Sequence, residues 1–285
     1  MVNSPLFDSL AEQKLQELLN HPAVQAVLVP FLVALVTAEL FQRMKLSGLA
    51  IIAGFAATVY LVSDFSFEPL TASRKIVWLG LLGALLALPL SLLKARWASL
   101  LLVTLGGAAA IWTALRILQQ HETMVMLLWG AGCASYVAIL VWGMDKLENE
   151  PMRAANAATA LGIGTGAAAL MGASALFGQF GLAIGAAAAA HLLIQMVSNQ
   201  PLPTGRTFTL PFALIAGLTG SMAVLGAQLP WYALPVLACI PLAAWLLPLF
   251  KQAVWIQSLV LALVTFGFTV GAIYVTWRTV GGIAL

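Results

Sequence analysis

Apolar residues run along the chain in blocks of about twenty, and the polar residues collect between the blocks. Ten such blocks lie near residues 23–42, 46–62, 76–93, 97–117, 123–144, 155–176, 179–197, 207–227, 231–249 and 253–277. Each is close to the roughly 20 residues a helix needs to cross the hydrocarbon core. Runs such as Leu81 to Leu88 are apolar on every side, unlike barrel strands, in which polar and apolar residues alternate. A helix satisfies all its backbone N–H and C=O groups within itself, as a lipid environment requires. The pattern therefore predicts an all-α, polytopic transmembrane bundle of about ten spanning helices.

The segment 155–197 is too long for one span, and Phe177-Gly178-Gln179-Phe180-Gly181 is the break the sequence offers. Before the first block, residues 5–20 place Phe7, Ala11, Leu15 and Leu18 at helical spacing, with Asp8, Glu12 and Glu17 on another side. This predicts a short amphipathic helix within residues 1–22, lying on the membrane or docked on the bundle. Residues 23–285 form one membrane domain, with possible halves at 23–150 and 151–285. Ten spans would permit two inverted five-helix repeats, although glycine and proline positions do not correspond well between the halves.

Composition narrows the class. Residues of the apolar and aromatic types make up 62% of the chain and Asp, Glu, Lys and Arg only 8%, against about 25% charged residues in soluble domains. The net charge of +3 comes from cations scattered along the loops, with no basic run to suggest nucleic acid. Lys14, Arg74, Lys75, Arg116 and Arg278 fall on one side. Arg43, Lys45, Lys94, Arg96, Lys146, Arg153, Arg206 and Lys251 fall on the other. The richer side is the expected cytoplasmic one, and the expected location is the bacterial cytoplasmic (inner) membrane. The acidic N-terminal segment is unlike a cleaved secretory leader. Cys133 and Cys239 sit in apolar runs and read as small buried residues.

Candidate chemistry is sparse. Gly162 to Gly166 and Gly181 to Gly185 are GxxxG spacings, which let helix backbones approach closely. They predict a tightly packed hairpin, with a pore or a moving seam as the functional alternative. His191 and Gln195 lie one turn apart inside an apolar block, and an ionisable group inside the membrane is a candidate site. With Gln179 as a further polar contact and Pro241 shaping a facing wall in the proline-rich ninth block, they form the predicted substrate site. Glu39 and Arg43, spaced i, i+4, predict an interfacial ion pair. Asp145, Lys146, Glu148, Glu150 and Arg153 read as a solvated linker.

No Walker A sequence, HExxH, CxxC or nucleophile elbow is present. No metal or cofactor is implied. The leading expectation is a transporter or permeation protein for a small neutral, amphipathic or lipid-like solute, partnered by the bilayer and by a membrane protein or copies of itself. The alternative is a non-catalytic subunit or scaffold of a larger membrane complex. An intramembrane lipid-modifying enzyme ranks third, for want of a positioned nucleophile or acid–base pair.

Overall fold

A computed structural model of the chain describes residues 20–44, 46–63, 65–66, 68–91, 95–248 and 253–280. The N-terminal amphipathic segment falls outside these residues except at its last positions, as do Lys14, Lys45, Lys94 and Lys251. The described residues form ten helices and no strand: α1 Val24–Phe41, α2 Ser47–Val62, α3 Ala72–Leu90, α4 Arg96–Leu118, α5 Thr123–Lys146, α6 Pro151–Met171, α7 Ala175–Ser198, α8 Gly205–Gly226, α9 Ala233–Leu246 and α10 Val254–Val280. The protein is a multi-pass helical membrane protein.

Eight of the helices are long and apolar enough to cross a bilayer. The exceptions are α2 and α9. With 14 residues, α9 is about 21 Å long, short of a hydrocarbon core about 30 Å thick. Both ends of this helix are trimmed relative to the 231–249 block. A turn at Trp231–Tyr232 precedes it, and the extended backbone of Leu247 ends it.

The hairpin break also lies elsewhere than the sequence suggests. The chain turns at Gly172–Ser174, where Ala173 takes a positive φ of 64°. The Ser174 side chain caps α7 by accepting from Phe177 N–H. Phe177 to Gly181 are thereby released from turn duty and lie within α7. There the glycines bring the backbones of α6 and α7 into contact. A Cβ on Gly162 would stand 2.5 Å from Gly185 Cα, and one on Gly181 would stand 2.5 Å from Gly166 N. The two GxxxG pairs thus face each other antiparallel, with no room for a side chain between the backbones.

At the centre stands α8, buried without interruption from Arg206 to Ala223. Helices α6 and α7 flank it, each buried over most of its length. The outer helices turn large apolar residues outward, such as Leu85, Leu128 and Leu263. In a bilayer these face lipid tails, which are as apolar as leucine, so close packing and hydrogen bonds hold the helices together. Thr269 Oγ1 donates to the Ala160 carbonyl at 2.8 Å and Asn156 Nδ2 to Ser258 Oγ at 3.2 Å, joining α6 to α10. Helices from the two sequence halves interleave: Gly54 of α2 lies against Ala187 of α7, and Gly80 of α3 against Ile215 of α8.

In α1 the ring of Pro30 removes one ladder donor, and the preceding turn, Val24–Leu28, is a wide π turn. The Gln25 carbonyl there accepts from Thr58 Oγ1 of α2 at 2.9 Å. After α1, residues 42–44 tighten into a 3₁₀ turn. This takes Arg43 out of α-helical register with Glu39, and the two form no salt bridge.

Candidate functional site

His191 and Gln195 are fully buried. Gln195 Nε2 lies 3.1 Å from His191 Nδ1 and 3.4 Å from the Pro151 carbonyl. Because a carbonyl can only accept, the nearby atom is the amide nitrogen, and Nδ1 accepts in turn. The ring proton therefore sits on Nε2. The imidazole packs on Phe208 of α8 with centroids 4.9 Å apart. Its Nε2 makes no regular hydrogen bond, but faces the carbonyl of Pro203, to which Ser47 Oγ also donates. The pair thus joins α7 to the start of α6 and the loop before α8, inside a closed wall.

The other two predicted contacts lie elsewhere. Gln179 is twelve residues before His191 on the same helix, about 18 Å along its axis, and is half-buried. Pro241 packs its ring on Gly143 of α5, where an added Cβ would meet it at 3.1 Å. The cavities described below are lined by none of His191, Gln195, Gln179 or Pro241.

Of the charges between α5 and α6, Lys146 and Glu150 are exposed as a solvated linker predicts, whereas Asp145 is buried and Glu148 and Arg153 are half-buried. Arg206 opens α8 and is 5% exposed, against 8% for Asp145. Its Nε lies 2.9 Å from both Asp145 Oδ1 and Glu148 Oε2, and its Nη1 donates to the Leu90 carbonyl at 2.8 Å. The Glu148 carbonyl accepts from Thr204 Oγ1 and from Gly205 N–H, both at 3.1 Å. Burial raises the Glu148 carboxyl above its ordinary range, against the opposing pull of Arg206. Nearby, Arg153 Nη1 and Nη2 donate to the Trp245 and Leu247 carbonyls at 2.6 and 3.0 Å, closing the end of α9. This end of the bundle carries the connections expected to be cytoplasmic. A cleft of about 860 Å³ lies beside the knot between α4 and α5, bordered by Arg96, Trp97, Trp142 and Lys146.

A second polar group is buried deeper, and sequence reasoning missed it. Tyr136 and Cys133 of α5, Thr165 of α6 and Ser221 of α8 are all at least nine-tenths buried. The Tyr136 hydroxyl is directed at Thr165, and the Cys133 thiol at Ser221. Even so, Tyr136 Oη, Thr165 Oγ1, Thr219 Oγ1 and Ser221 Oγ have no hydrogen-bond partner of ordinary geometry. Gly220 makes the approach of α5 possible, since a Cβ there would sit 3.1 Å from Tyr136 Oη.

Cys133 and Tyr136 have a second role. They form the inner wall of a cavity of about 450 Å³ between α5, α8 and α9, whose other walls include Trp129, Trp231 and Pro235. Its volume lies in the range of small-molecule sites, which are mostly apolar with a few polar groups. It occupies the half of the bundle away from the Arg206 knot. Tyr136 stands near the middle of α5, and Trp231 precedes the first turn of α9. Among the described residues no group of three His, Cys, Asp or Glu is placed to hold a metal ion. No family model matches the chain, and neither the curated proteins nor the solved structures contain a match to it.

Proposed function

We propose that the protein is a transporter or permeation protein for a small neutral, amphipathic or lipid-like solute, and that the solute binds in the α5–α8–α9 cavity. The observation that carries this reading is an aromatic-walled apolar cavity backed by buried hydroxyls that lack partners. The walls suit an apolar body, and Ser135, Cys133 and Tyr136 mark where a polar end would dock. No fixed charge lines the cavity, so a strongly charged cargo is disfavoured. The proposed setting is the bacterial cytoplasmic membrane, with no chemical step.

Reconstitution into proteoliposomes tests this reading. Uptake of neutral amphipathic compounds should exceed that into protein-free vesicles, and Ala238→Trp, which fills the cavity, should abolish the excess. No excess across a broad panel of such compounds would overturn the reading.

One observation favours the alternative, a non-catalytic membrane subunit: the His191–Gln195 pair and the α6–α7 hairpin are packed shut. That reading predicts a stoichiometric membrane partner retained in mild detergent.

A further inference from the structure

At the end of the bundle opposite Arg206, a cation is buried with no counter-ion among the described residues. Lys75 of α3 is 6% exposed. Its Nζ donates to the Trp112 carbonyl of α4 at 2.8 Å and lies 4.7 Å from the centroid of the Trp112 ring. Both partners are neutral. Arg116, one turn beyond Trp112, lies close enough for the two like charges to repel. Among the described residues no carboxylate is salt-bridged to either cation. Burying an ammonium without an opposite charge is costly, and a second cation beside it adds to the cost.

The same face of α3 continues inward through Leu79, Leu82, Gly83 and Leu86. With Leu105 and Trp112 of α4 and Leu214 of α8 these line a crevice of about 280 Å³. Leu82, Leu86 and Leu105 are partly exposed on the outer surface, so the crevice opens sideways to the bilayer. It begins one helical turn from Lys75. An anion at the cations and an aliphatic chain in the crevice would be held at the depths they occupy in a lipid leaflet.

We propose that Lys75 and Arg116, together with the α3–α4–α8 crevice, form a binding site for an anionic phospholipid, the phosphate at the cations and one acyl chain in the crevice. The phosphate supplies the opposite charge that neither side chain finds among the described residues. The chain fills space that the weakly packed α3–α4 pair leaves open. The site is separate from the proposed solute cavity and does not depend on it. Basic pockets between membrane helices hold anionic headgroups in this way.

The test is native mass spectrometry of the detergent-purified full chain, incubated with phosphatidylglycerol or with phosphatidylcholine of the same acyl chains. One phosphatidylglycerol should be retained in preference to phosphatidylcholine. Arg116→Gln removes an exposed charge at little risk to folding and should lower that retention about fivefold, the effect of about one interfacial cation. Lys75→Gln should lower it at least as much, and Lys75→Arg should keep it. Leu105→Trp, which leaves both cations in place and fills the crevice, should also lower it. Equal retention of the two lipids, or retention unchanged in both Arg116→Gln and Leu105→Trp, would overturn the proposal. So would full displacement of the lipid by millimolar inorganic phosphate, since the chain would then contribute nothing.

Discussion

Two buried polar groups lie at different depths of this bundle, and they differ in how completely they are satisfied. At one end Arg206 meets two carboxylates and the last carbonyl of α3. Near the middle, the hydroxyls of Tyr136, Thr165 and Ser221 on α5, α6 and α8 lie buried without a hydrogen bond of ordinary geometry. The first group has the form of a fastening: it ties α3, α5 and α8 at one level, and its one cation meets two carboxylates. The second has unused hydrogen-bonding capacity beside an open volume. Buried polar groups are nearly always paired, so an unpaired set calls for something that completes it. On the proposed reading the charged group serves stability and the uncharged one binding, although intramembrane charge is the usual pointer to function.

Breaking the fastening should have the largest effect. Arg206→Met leaves the buried Asp145 and the half-buried Glu148 without their cation, and removing one partner of a buried pair costs about 3–5 kcal/mol. Thermal unfolding in detergent should show a large loss of stability. Asp145→Asn with Arg206→Met together should recover part of it, because the uncompensated carboxylate is then gone. If the double variant is as unstable as the single one, the Asp145 charge is not the source of the loss.

The glycine seam comes next. Gly162→Ala places a Cβ against the backbone of Gly185, which cannot move as a flexible side chain could. Overpacking of this kind costs about 1–3 kcal/mol. Gly132→Ala is the control, since an added Cβ there meets nothing within 4 Å. Equal losses in the two variants would show that helix propensity or insertion, rather than the seam, sets the cost.

Tyr136→Phe should invert the pattern. The Tyr136 hydroxyl makes no hydrogen bond of ordinary geometry, so its removal lifts a desolvation cost and loses at most a weak contact with Thr165. Stability should hold or rise slightly, while solute uptake falls about fivefold for a lost interaction of about 1 kcal/mol. A clear loss of stability would move Tyr136 into the same class as Arg206.

Most of the architecture was legible in the sequence, because a lipid solvent demands long apolar runs and admits few structures. GxxxG places small residues on one face, and Gly162 and Gly166 lie against Gly185 and Gly181. The turn was misplaced because Phe177 to Gly181 serve contact rather than a bend, and the signal that could have found the true turn was Ser174 as an N-cap. Arg206 looked like an ordinary loop cation because it sits at the edge of a block. Only the convergence of α3 and α5 on it makes it buried. Tyr136, Thr165 and Ser221 are single hydroxyls on three separate helices, and nothing in their spacing links them. The face Cys133, Tyr136 on α5 was the one local hint, at i, i+3.

The smallest expected effect is also the one whose sign is least obvious. Glu148 is the more exposed carboxylate of the charged group, and burial holds its carboxyl above the ordinary range of about 4.3 for glutamate. The folded protein therefore keeps a proton there that the unfolded chain releases. Stability contributed by this group is full below the unfolded value and declines as pH rises toward the folded one. Glu148→Gln should remove that slope. Measured as thermal midpoints in detergent from acidic to neutral pH, wild type should lose ground relative to the variant as pH rises, by less than about 1 kcal/mol for so exposed a group. The opposite slope would mean that the attraction of Arg206 outweighs burial at Glu148. The fastening would then be an ion pair of three strong members, and acid rather than neutral pH would be what loosens this end of the bundle.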